Sequence, residues 1–155
     1  MDGITGLIDL WDEFPIVALG ELHGVEQGGD HVEALVKHPR FAEAPTAIVV
    51  EYGNARYQAI CDAYVVDGAD VPMRELQRAW FDFAGGGPWG FRAPIYPRFF
   101  ATVREVNRQL PPERRIRVLL GDPPVDWSRI HTQDELHAAI SNRDAHFARV
   151  VVAAV

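Results

Sequence analysis

An acid and a histidine, Glu21 and His23, stand two positions apart in "LGELHG" (19–24), where the apolar run that begins at "FPIVA" stops. A carboxylate beside an imidazole is the simplest proton-transfer pair a chain can build. The acid fixes the tautomer and orientation of the ring, and the ring moves the proton. Two further acids close apolar runs in the same way, Glu51 in "TAIVVEYG" (46–53) and Asp122 at the end of "RIRVLLGD" (115–122). Carboxylates brought together raise one another's proton affinity, so such a cluster is unfavourable unless a cation, a metal or a shared proton belongs among them. Arg143, in "NRDAHFA", has the fork that holds a carboxylate through two N–H groups; a local surface pair with Asp144 is the plainer reading. Each acid taken singly could equally cap a helix or face water. It is the set that points to a site.

A parallel sheet would gather these residues, because the carboxyl ends of its strands open on one edge, where ligands bind. Three runs read as strands covered on both faces, 15–21, 46–53 and 115–122, each near-continuous in β-branched residues and Leu rather than alternating. Helical segments lie between them. "DHVEALVKH" (30–38) starts at Asp30 with Glu33 three later, a capping-box pattern, and carries Val32, Leu35 and Val36 on one stripe. A second helix follows Asn54 as cap, with Tyr57, Ile60, Tyr64 and Val65 on one face and Cys61 as a small core residue. Another starts near Pro72, and "RFFATVREVNRQL" places Phe99, Val103, Val106 and Leu110 at helical spacing. Thr132 and Glu135 cap a last helix running through 133–155. The order predicts an α/β fold: a mostly parallel sheet with flanking helices and the site at the carboxyl ends of the strands.

The 155 residues, 48% of them hydrophobic, suit a single domain over 1–155. A net charge of −7 argues against a nucleic-acid surface. No apolar run has the length of a membrane span, and the acidic start "MDGITGLIDLWDEF" is no secretory signal. One cysteine excludes an internal disulfide and a cysteine zinc cluster, and a cytoplasmic setting is the simplest expectation. The other histidines, 31, 38, 131, 137 and 146, lack the four-residue spacing of a helical metal pair. The Gly/Pro- and aromatic-rich stretch 84–97 is expected to form a loop at the strand-end edge, mobile without ligand, with Trp89 and Tyr96 lining an apolar substrate.

A run ending in Leu-Gly-Glu-x-His-Gly, a helix, and a second run ending in Val-Val-Glu resembles the superfamily that joins erythromycin-esterase-like proteins, ChaN-like haem-binding proteins and the Tiki/TraB group. The resemblance extends through "LLGD" and "NRDAHFA". The single residue between Glu21 and His23 is the ChaN-like spacing; the esterases usually have two. What the resemblance implies is a hydrolase with Glu21, His23 and Glu51 as catalytic residues. Trp89, Tyr96, Asp122 and Arg143 would then contact the substrate. The other reading is a haem- or metal-binding protein in which His23, Glu21 and Glu51 are ligands, or an incomplete, inactive domain. The partner is a small molecule or haem, and a last apolar helix buried in a dimer would make the protein a homo-oligomer. Family members continue from that helix into a further strand bearing a second histidine. The chain ends in "HFARVVVAAV" with no stop signal, so it is expected to be the front part of a longer family domain.

Overall fold

The computed structural model describes residues 3–21, 25–43, 47–84 and 93–155. Among them the elements run α1 (Gly3–Asp9), α2 (Glu26–Lys37), β1 (Ala47–Asn54), α3 (Gln58–Val65), α4 (Met73–Leu76), α5 (Arg78–Phe81), α6 (Ile95–Arg108), β2 (Arg117–Asp122), α7 (Gln133–Ile140) and α8 (Arg143–Ala153). Helix and strand are mixed, and the described sheet is one parallel pair, β1 with β2, flanked by helices. Its register sets Ala47 against Arg117 and Val50 against Leu120, then slips, so that Asn54 faces Asp122.

The slip comes where backbone approaches backbone. A Cβ on Gly53 would lie 2.6 Å from Leu120 Cδ2 and 2.9 Å from its Cα. One on Gly121 would lie 2.8 Å from the Val50 carbonyl oxygen and would also strike the Phe147 ring. Only glycine lets the strands and α8 close to this distance.

The predicted helical stripes supply part of the core; Phe100 lies outside them, and Val32, Ile60, Tyr64, Val106 and Leu110 are only partly buried. Leu35 and Val36 of α2, Cys61 and Val65 of α3, and Phe99, Phe100 and Val103 of α6 are buried against Val118 and Leu120 of β2. Burial pushes the Cys61 thiol up, as does the charge of Asp62, so the thiol is a packing group rather than a nucleophile. Asn107, buried in α6, donates to the carbonyls of Val65 and Ile116 and accepts from the Ile116 amide at 2.8 Å. One side chain thus joins the end of α3, the end of α6 and the start of β2.

Four expectations are corrected. Residues 15–21 form no strand: they are irregular and mostly exposed, with Ile16 at 46% and Leu19 at 45%. Pro15 and Gly20 leave only four residues between them, too few for the ladder of an average strand of about five to six residues. Helix α2 begins at Glu26 rather than at Asp30, so Asp30 is no cap; its carboxylate accepts from Arg98 of α6 at 2.8 Å. Gly28 and Gly29 hid that first turn, since glycine disfavours helix interiors. Gly29 is needed there because a Cβ would lie 3.0 Å from Ile95 Cγ2. Strand β1 does not stop at Glu51 but runs on to Asn54. Finally, 133–155 is two helices. The Thr132–Glu135 capping box is present, but Ser141 and Asn142 interrupt the helix, and the Ser141 hydroxyl donates back to the Ala138 carbonyl. The break turns Arg143 towards the sheet.

Candidate functional site

The carboxyl ends of β1 and β2 bring three of the candidate residues into direct contact. Arg143, the first residue of α8, donates through Nε to Asp122 Oδ1 and through Nη2 to Glu51 Oε1, the latter at 3.1 Å. The second oxygen of Asp122 accepts from the Ala84 amide at 2.6 Å. The side chain of Asp122 is 1% exposed, that of Arg143 29% and that of Glu51 61%. Asp122 is therefore a sealed anchor, Arg143 an oriented cation and Glu51 an open carboxylate. Burial works against the Arg143 charge, but the hydrogen bond and charge of Asp122, with Glu51 beside it, outweigh it and raise the guanidinium above its ordinary value. Arg143 supplies the relief that clustered acids require.

Glu21 joins a second group. It is exposed, and its charge bears on Tyr52 of β1 and Tyr96 of α6. The two tyrosine rings meet edge to face at 4.7 Å, Tyr96 stacks on Trp80 at 6.5 Å, and Tyr52 meets Phe99 at 6.4 Å. Burial first, then Tyr96 and Glu21, raise Tyr52 well above the ordinary tyrosine range; burial and Glu21 raise Tyr96. Glu51 and Tyr52 are successive residues of β1, and successive strand side chains take opposite faces. The acids are thus gathered as two groups, Asp122–Arg143–Glu51 beside α8 and Glu21–Tyr52–Tyr96 beside α6. His23 and Trp89 lie outside the described residues, as does 85–92 of the aromatic loop.

The structure adds residues that sequence reasoning passed over. Asn54, read only as a cap, is fully buried and does accept from the Arg56 amide at 3.0 Å. It also donates to the carbonyls of Asp82 at 2.8 Å and Val125 at 2.9 Å, and accepts from the Val125 amide at 3.2 Å. Asp82 accepts from the Tyr57 hydroxyl at 2.6 Å and from Arg78 at 3.0 Å, while its carbonyl accepts from Trp127 Nε1. These bonds hold the approach to Ala84, and hence the amide that Asp122 accepts from. An Asn directly after an apolar strand was the available signal, and it spoke for the cap alone.

The Tyr57 hydroxyl gives this network a pH signature. Burial and the bond to Asp82 push its pKa from 10.0 up to about 12, with Arg78 and Arg56 opposing. A raised acid favours the folded state while it is protonated, so this contribution is complete below pH 10 and is lost as pH rises towards about 12. Urea midpoints measured across that window should fall more steeply for the parent than for Tyr57→Phe; parallel slopes would contradict the linkage.

Among the described residues, no group of three or more His, Cys, Asp or Glu is placed to hold a metal ion, and no helix is long and apolar enough to cross a membrane. Compared with known proteins, the chain matches no protein-family model, no curated protein and no solved structure.

Proposed function

We propose that the chain is a hydrolase of the erythromycin-esterase-like and ChaN-like kind, acting on a small molecule by general acid–base chemistry at the strand ends. The observation that carries this reading is the exposed Glu51 carboxylate, held through one oxygen by an arginine that is itself anchored on buried Asp122. Pre-organisation of this sort is what proton-transfer catalysis needs, since the group must not have to find its orientation during the reaction. In the proposed mechanism His23 takes a proton from water as the hydroxyl adds to the substrate carbonyl, and returns it to the departing alkoxide as the C–O bond breaks. Glu51 orients the water through Oε2, and Asp122 and Arg143 are positioning residues. Tyr96 offers an apolar wall beside Glu21.

The described donors do not fit a metal or a haem iron. Both oxygens of Asp122 are engaged, and Arg143 would repel a cation from Glu51. The raised Tyr52 and Tyr96 hydroxyls resist the ionisation that an axial tyrosinate requires. No step of the mechanism is routed through such a group.

The test is turnover of a panel of p-nitrophenyl esters, with and without chelator, alongside a haem titration. His23→Ala should lower kcat by roughly 10²–10⁴-fold, and Glu51→Gln should lower it without unfolding the protein. A parent without turnover that binds haem with a Soret band would replace the hydrolase reading with the haem-binding one.

A further inference from the structure

Far from the strand ends, helix α3 finishes in a turn at Val66, Asp67 and Gly68, where Gly68 takes a φ of +71°. Beside the turn is a cleft of about 190 Å³, whose lining includes Arg104, Arg108, Arg115, Asn107, Asp67 and Gly68. A water molecule occupies about 30 Å³ of liquid, so the cleft has room for a small polyatomic ion with part of its hydration.

Three guanidiniums around one cleft are unusual in a chain of net charge −7. Part of their role is structural. Arg104 donates to the carbonyls of Tyr64, Gly68 and Ala69, Arg115 donates to Val66, and Asn107 donates to Val65. These bonds cap the end of α3, where cations are favoured by the helix dipole. They also lessen the repulsion that an anion would meet there, because each of these carbonyls already accepts from a guanidinium or amide N–H. Donors remain. Arg115 Nε, buried without a partner, is closed to solvent and is not one of them. Among the described residues, the bonds of Arg104 use only its Nη atoms, those of Arg115 only Nη1, and those of Arg108 only Nη1, which pairs with Glu105 at 2.8 Å. The opposing charges are Asp67 in the lining and Glu105 at Arg108.

We propose that this cleft binds a small oxyanion, and that a phosphate group fits it better than a carboxylate does. One fork satisfies a planar carboxylate, whereas a tetrahedral group presents oxygens to guanidiniums on several sides at once. The site is independent of the strand-end chemistry: it would stand whether or not the chain is a hydrolase.

The probe is inorganic phosphate, titrated at constant ionic strength into the whole chain and followed by backbone amide and arginine Nε–H NMR shifts, with acetate and chloride run in parallel. Saturable shifts centred on Val66–Ala69 are expected, with acetate weaker and chloride without saturation. Arg108→Gln alters only a surface side chain, and Arg115→Lys keeps the charge while losing the fork. Each should weaken phosphate binding several-fold, with the amide spectrum otherwise preserved. The proposal is overturned by shifts that do not saturate, by saturation centred on Arg143, or by phosphate affinity unchanged in the variant that folds.

Discussion

Arg143→Met is expected to lower the unfolding free energy by about 3 kcal/mol, because it leaves a buried carboxylate without its cation. Asp122 is sealed from solvent, so water cannot replace the lost partner, and the Ala84 amide satisfies only one of its oxygens. The ion pair with Glu51 contributes little to that loss, since Glu51 is exposed and water screens it. Denaturant unfolding of Arg143→Met, Asp122→Asn and the double variant would separate the terms. The double variant should recover much of the deficit, because the uncompensated charge is gone while the amide-accepting oxygen remains. Arg143→Met within about 0.5 kcal/mol of the parent would show that the pair is a surface contact.

The second large effect belongs to the aromatic core. Phe100 is fully buried, stacked on Trp80 at 5.1 Å and in edge contact with Phe99 at 5.4 Å. Truncation to Ala removes a whole ring from a buried site walled by other rings and leaves a void there. A loss of about 3–5 kcal/mol is expected, measured as a lower urea midpoint at unchanged slope. Phe100→Leu, which refills part of the volume, should recover part of it. Equal stabilities for the Ala and Leu variants would mean that the ring stack carries no packing energy.

What could be read from the chain follows from the range of each signal. The stripes of α2, α3 and α6 were legible because a helix's periodicity is written within a dozen residues, and the Thr132–Glu135 capping box because its bonds span three. Glu51 and Asp122 could be placed near neighbouring strand ends for the same reason, since each closes an apolar run, although β1 runs three residues past Glu51. The partner of Asp122 was legible only as a candidate, since it depends on the chain breaking at Ser141–Asn142 to aim Arg143. Run 15–21 misled because apolar composition reports a preference for burial, while a strand also requires a neighbour with matching register. The tertiary bonds of Asn54, which reach across 28 and 71 residues, leave no local trace at all.

The run between α1 and α2 has a further consequence. No described residue offers a hydrogen bond to the backbone of 16–20, and most of its side chains stand in water. Its local opening therefore costs almost nothing, while Val118 and Leu120 open only with the whole domain. Proteases need an extended stretch of about this length, and this is where they would find one first. A cut at Val17–Ala18 would not release α1, because Ile8 is buried in the core, Trp11 meets Phe41 edge to face at 5.4 Å, and Asp9 pairs with Arg40 at 2.8 Å. The nicked protein would travel as one particle and separate into two chains only in denaturant, with Glu21 left at the new amino-terminal end of the larger piece, four residues from the cut.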